Sequence, residues 1–149
     1  MTGRLHLEDL HEGQRFVSAG RTLTAEEIIA FARDYDPQPF HTDEAAAAGS
    51  FFGGLVASGW HTAAVTMRLL TESLPFAGGV IGAGGDLSWP GPTRPGDALH
   101  VETTVEKVTP SRSRPDRGMA SLRIETRNQR GEIAQLFRVN VIAFRRPAP

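Results

Sequence analysis

Cysteine is absent from this sequence, which excludes disulfides and thiolate metal sites and makes a reducing cytoplasm the expected setting. No apolar run approaches the roughly 20 residues that a membrane-spanning helix needs. The opening residues, MTGRLHLEDLHEGQRF, hold no apolar core of the secretory-signal kind, so no export signal is expected. Charge of one sign is also missing: 16 Lys and Arg stand against 17 Asp and Glu. Neither nucleic acid nor an anionic membrane is therefore an expected partner. Arg112, Arg114 and Arg117 cluster locally, but Pro110, Pro115 and Gly118 around them mark a solvated loop. No repeat and no linker divides the 149 residues, so residues 1–149 are read as one domain, large enough to bury its own core.

What is present divides into a helix-friendly, Ala-rich first half and a strand-rich second half. Gln14 to Thr22 reads as a short leading strand, Arg15-Phe16-Val17, after the Glu12-Gly13 turn. Thr24 followed by Glu27 has the spacing of a capping box, and Ile28, Ile29, Phe31 and Ala32 give the helix its apolar stripe. Pro37 and Pro39 should end it near Asp34. Thr42 or Asp43 can cap a short Ala-rich turn, with Asp43 preferred. A Gly-rich loop from Gly49 to Gly59 then leads to the longest apolar helix, Trp60 to Leu74. Its apolar residues occupy more than one face, so the helix is expected to be enclosed on several sides.

Strand-like runs follow at Val80–Trp89, Asp97–Val108, Met119–Asn128 and Glu132–Phe144, separated by Pro- and Gly-rich turns. Asn128-Gln129-Arg130-Gly131 is a hairpin turn by composition, which makes the last two strands antiparallel. The sum is an α+β fold: one antiparallel sheet of about five strands curved around one long buried helix.

The chemistry is concentrated in Asp34-Tyr35-Asp36-Pro37-Gln38-Pro39-Phe40-His41-Thr42-Asp43. Two prolines stiffen the loop past a helix end, and a five-residue separation lets Asp36 and His41 converge. A carboxylate beside an imidazole can position and deprotonate a water. By itself the pair reads more readily as turn structure than as chemistry. His41-Thr42-Asp43 lacks the further ligand a metal would need, and no metal or cofactor is assigned. A second feature changes the balance. Phe52-Gly53-Gly54-Leu55-Val56-Ala57-Ser58-Gly59 approaches the start of the long helix, where unpaired N–H groups and the positive end of the helix dipole could hold a developing oxyanion. The same glycines also serve a tight loop-to-helix turn.

Asp36-x-Gln38-Pro39-x-His41-x-Asp43, with Gly59 opening a helix eighteen residues after His41, resembles the MaoC-like acyl dehydratases and (R)-specific enoyl-CoA hydratases. Trp89-Pro90-x-Pro92-x-Arg94-Pro95-Gly96-Asp97 resembles the Pro-Gly-Asp turn of that family, and the likeness runs from about Leu10 to Phe144. The resemblance implies a hot-dog fold, a homodimer or dimer-based higher oligomer with joined sheets, and a tunnel for an acyl group on coenzyme A or acyl carrier protein. It implies Asp36 and His41 as the catalytic pair adding water to a trans-2-enoyl thioester, with Gly59, Ser58, Phe40 and Gln38 contacting substrate. Three departures stand out: Gln38 where the family has Asn, Ser58 where it often has His, and Met67, with Thr66 beside it, where some hydratases have Ser.

Two other functions remain open from sequence. A hot-dog acyl-CoA thioesterase would need a carboxylate near the central helix, and Glu72 at its far end is the first candidate. A non-catalytic acyl-thioester binding module would have no need of the Asp36/His41 pair. Phe40, Phe51 and Phe52 are candidates to line an acyl pocket; Trp60 is read as core or pocket wall, His61 as surface or packing, and His100 as facing solvent or an interface.

Overall fold

The computed structural model describes residues 3–149. A single 3-10 turn at Leu7–Asp9 precedes two short strands, β1 (Arg15–Val17) and β2 (Arg21–Thr22). Four helices follow: α1 (Ala25–Tyr35), α2 (Pro39–Thr42), α3 (Glu44–Ala48) and α4 (Gly59–Ser73). The long strands β3 (Ile81–Ser88), β4 (Ala98–Pro110), β5 (Arg117–Arg127) and β6 (Ile133–Phe144) complete the order.

Local chemistry sets the helix ends. The Thr24 hydroxyl accepts from the Glu27 amide at 3.1 Å and starts α1. Asp43 caps α3 by accepting from the Ala45 and Ala46 amides, as its sequence position predicts. Between them Pro39 occupies the first turn of α2, the helical position a proline tolerates. The two prolines by themselves predict a stiff loop over this segment, and Pro39–Thr42 instead forms one helical turn.

All strands pair antiparallel in one sheet, ordered β1-β4-β5-β6-β3, with β2 also on β4. Among the described residues the sheet has six strands, close to the expected number of about five. The stretch Gln14 to Thr22, expected as one leading strand, divides into β1 and β2, and the short, polar Arg21–Thr22 exists through its pairing with Leu99 and Ala98. The β5–β6 hairpin turns at Gly131, whose φ of 77° favours glycine. The sheet curves around α4 in the hot-dog arrangement.

Leu99, Val101 and Val105 of β4, Ala120, Leu122 and Ile124 of β5 and Val139 and Val141 of β6 pack with Val65, Leu69 and Leu70 of α4 and with Ile28 of α1 in one core. His100, alternating with these, faces away from the core and meets Glu102 at 2.9 Å. The expectation that α4 is enclosed on several sides is corrected: it buries His61, Thr62, Val65, Thr66, Leu69 and Leu70, while Trp60, Ala64, Met67, Arg68 and Thr71 are exposed. No described helix is long and apolar enough to cross a membrane.

A polar chain crosses this core. Thr66 donates its only hydroxyl proton to the Thr62 carbonyl at 2.8 Å, so Thr126 at 2.6 Å and the Gln135 amide at 3.2 Å must donate to it. Gln135 in turn accepts from the indole N–H of Trp89 at 3.0 Å. Gln135 is 1% exposed, so Gln135→Leu removes a partner that water cannot replace for Thr66. We expect a loss of about 1–3 kcal/mol, read as a lower urea midpoint with an unchanged slope.

Candidate active site

Asp36 is the last residue capping α1, its amide bonded to the Ala32 carbonyl, and its side chain turns toward the start of α4. His41 lies on α2, 6% exposed, with Nε2 3.2 Å from Asp36 Oδ2. Its Nδ1 is 2.7 Å from the Val56 carbonyl. A carbonyl only accepts, so Nδ1 carries a proton, and Nε2 is the atom free to gain or lose one. The short proline-bounded loop therefore delivers the two predicted side chains to one place, with the tautomer fixed by a backbone oxygen from a distant segment.

Two further side chains hold the carboxylate. Ser58 donates to Asp36 Oδ2 at 2.7 Å while accepting from the Trp60 amide at 3.2 Å as the N-cap of α4. Gln38 donates to Oδ1 at 2.6 Å. Burial raises the proton affinity of Asp36, but the Ser58 and Gln38 hydrogen bonds and the charge of His41 outweigh it and hold the carboxyl below its usual value. Asp36 is thus ionised at neutral pH. Ser58 and Gln38, expected against substrate, are turned toward Asp36; Ser58 is fully buried and both roles of its hydroxyl are used. Gln38 also rationalises its departure from Asn, since its amide spans the distance to Oδ1 directly.

A cleft of about 450 Å³ opens beside the pair, lined by His41 and Gly59 together with Phe40, Phe51, Phe52 and Trp89. Phe40 packs on Phe52 at 5.2 Å between ring centres, and Phe51 stands 96% exposed at the rim. Gly59 opens α4 and lines this cleft, and its N–H makes no hydrogen bond among the described residues. A Cβ at Gly59 would lie 2.6 Å from the Trp89 ring, so only glycine fits beneath the indole.

Several placements differ from expectation. Trp60 neither enters the core nor lines the cleft; it is 59% exposed and meets Trp89 edge-on at 5.2 Å. Met67 is exposed and Thr66 is committed to the core, so the helix hydroxyl lining the cleft is that of Thr62. His61 is a packing residue as expected, stacked on Phe31 at 4.5 Å; burial, opposed by Glu27 and aided by Arg21, lowers its proton affinity. Glu72 is exposed and paired with Arg68 away from the cleft. Arg117, expected in a solvated loop, opens β5, where it pairs with Asp116 and lies over the Phe144 ring. Sequence reasoning missed Thr62, Thr93, Arg94 and the cleft role of Trp89; the only signal was the dense Trp89–Asp97 turn.

The arrangement has known counterparts. The MaoC like domain profile matches residues 8–127. A crystal structure of a MaoC-like dehydratase from Rhodospirillum rubrum is 61% identical, with a TM-score of 0.95 over 97% of this chain and 99% of that one. The (R)-hydratase from A. caviae involved in PHA biosynthesis is 29% identical, with a TM-score of 0.74 over 94% of this chain and 99% of its own. The uncharacterized protein YdeM of Bacillus subtilis (strain 168) is 30% identical, covering 90% of this chain and 99% of that protein. With the profile spanning most of the sequence and the curved sheet, central helix and cleft all in place, the chain belongs to the MaoC-like domain family.

Proposed function

We propose that this chain is a hydro-lyase that adds water reversibly to trans-2-enoyl thioesters, or in reverse dehydrates 3-hydroxyacyl thioesters. The observation that carries the reading is the Asp36–His41 pair at 3.2 Å, whose His41 lines the same cleft as Gly59 with its unpaired N–H. In this scheme the pair, acting as a unit, takes one proton from a water as its oxygen bonds to C3. The C2–C3 π electrons move toward the thioester, whose oxygen gains negative charge and accepts from Gly59. The proton held by the pair then passes to C2, which restores the carbonyl and the resting enzyme. The Phe40 and Phe52 walls would hold the acyl group.

The carrier is read as coenzyme A or acyl carrier protein. A homodimer is part of the proposal: β3 is exposed along almost its whole length at the sheet edge, and an unpaired edge is where a second copy's sheet can join. The test is hydration of crotonyl-CoA followed by loss of enoyl absorbance, beside a thiol-release assay. Absorbance loss without thiol release supports the reading; thiol release alone replaces it with a thioesterase, and tight binding with neither makes the chain a binding module.

Ser58 acts in this scheme by positioning Asp36, and its effect should be visible in pH. Its hydrogen bond favours the ionised carboxylate, so Ser58→Ala raises the proton affinity of the pair. A base is lost as pH falls through its pKa, so the acidic limb of kcat/KM should move to higher pH. The N-cap loss adds about 1 kcal/mol of destabilisation. An unmoved limb alongside that destabilisation would confine Ser58 to helix capping.

A further inference from the structure

Arg94 is a charged group in an otherwise largely apolar cleft. Its backbone N–H is fixed by Asp97 Oδ2 at 2.8 Å, within the turn that Pro95 and Gly96 close. Its guanidinium donates one N–H to the Phe52 carbonyl at 2.8 Å, and Nη1 lies where a Cβ on Gly54 would come within 3.3 Å. The head group is therefore held, not free to wander. Arg123, Arg127 and Arg130 are each matched by a carboxylate, whereas Arg94 enters no ion pair among the described residues. Beside it the Thr62 and Thr93 hydroxyls, both buried and 3.1 Å apart, line the same cleft. For a wholly hydrocarbon acyl group these polar groups are a desolvation cost with no return.

We infer that Arg94 receives an oxyanion carried by the thioester substrate, either a carboxylate on the acyl group or a phosphate of the carrier. A planar guanidinium with four remaining N–H donors suits both. This rests on the enoyl-thioester reading of the cleft and adds to it a second anchoring group.

Three substrates separate the sources. The crotonyl thioester of N-acetylcysteamine has no anion, crotonyl-CoA has phosphates only, and the trans-glutaconyl monothioester of N-acetylcysteamine has a carboxylate only. Arg94→Gln should raise KM by about tenfold on at least one anionic substrate, well beyond any change on the neutral one, and Arg94→Lys should restore part of the loss. A rise confined to the glutaconyl thioester assigns the acyl carboxylate; one confined to crotonyl-CoA assigns the carrier phosphate. Equal changes on all three, or none, overturn the inference. Equilibrium binding of butyryl-CoA and of the butyryl and glutaryl thioesters of N-acetylcysteamine gives the same contrast without turnover. If the wild type hydrates nothing while Arg94→Gln weakens only an anionic analogue, the hydro-lyase reading fails and the oxyanion site stands.

Discussion

Replacing Asp36 by Asn is expected to lower kcat/KM for crotonyl-CoA hydration by about 10²- to 10⁴-fold while the fold is retained. Asn has the shape of Asp and keeps an oxygen for the Ser58 hydroxyl, but it cannot accept a proton at the working pH. His41→Ala should fall by a similar factor for a different reason, since it removes Nε2 itself. It also leaves the buried Val56 carbonyl without its 2.7 Å donor, a stability cost of about 1–3 kcal/mol. Thermal melts alongside the kinetics separate the two effects. Because the residues share one proton, the losses should not multiply: the double variant should be no worse than the poorer single one. Hydration that persists in both single variants would remove the pair from the mechanism.

The parts of this site that sequence could reveal are those that lie close along the chain. Asp36 and His41 are joined by a proline-stiffened segment, so their meeting is a local event. Gly59 was marked by the glycine-rich approach to a long apolar helix, and the trailing strands by their alternation. The rest depends on segments far apart. The Val56 carbonyl that fixes His41 has no residue identity to read, since any amino acid supplies a carbonyl. Ser58 could be read as a helix cap, but not as the partner of a carboxylate twenty-two residues away. Trp89 and Arg94 reach the cleft because Ala57 bonds back to the Thr93 carbonyl, a contact no periodicity encodes. β2 likewise exists only through β4. Apolar residues all round a helix predict cover on every side, yet Trp60 and Met67 on α4 stand exposed, because the sheet covers one face of it alone.

Gly59→Ala tests the other half of the chemistry, and its expected effect is nearly as large. The backbone there is not in the left-handed region reserved for glycine, so alanine meets no torsional obstacle and is the better helix former. The obstacle is Trp89, whose ring atoms would stand 2.6 to 2.8 Å from the new Cβ. The indole cannot simply swing away, because its N–H is bonded to Gln135 and its edge packs on Trp60. Either the ring or the start of α4 must shift, and a shift of a few tenths of an ångström misaims the Gly59 N–H. Loss of one oxyanion donor costs about 10²- to 10³-fold in kcat, with a smaller effect on KM, because the charge it meets develops only in the transition state. Trp89→Leu removes the obstructing ring, so adding it to Gly59→Ala should recover part of kcat relative to Gly59→Ala alone, a positive coupling in the double-mutant cycle. Full kcat in Gly59→Ala would place the oxyanion elsewhere. A loss that Trp89→Leu does not relieve would instead locate the damage in the helix start itself.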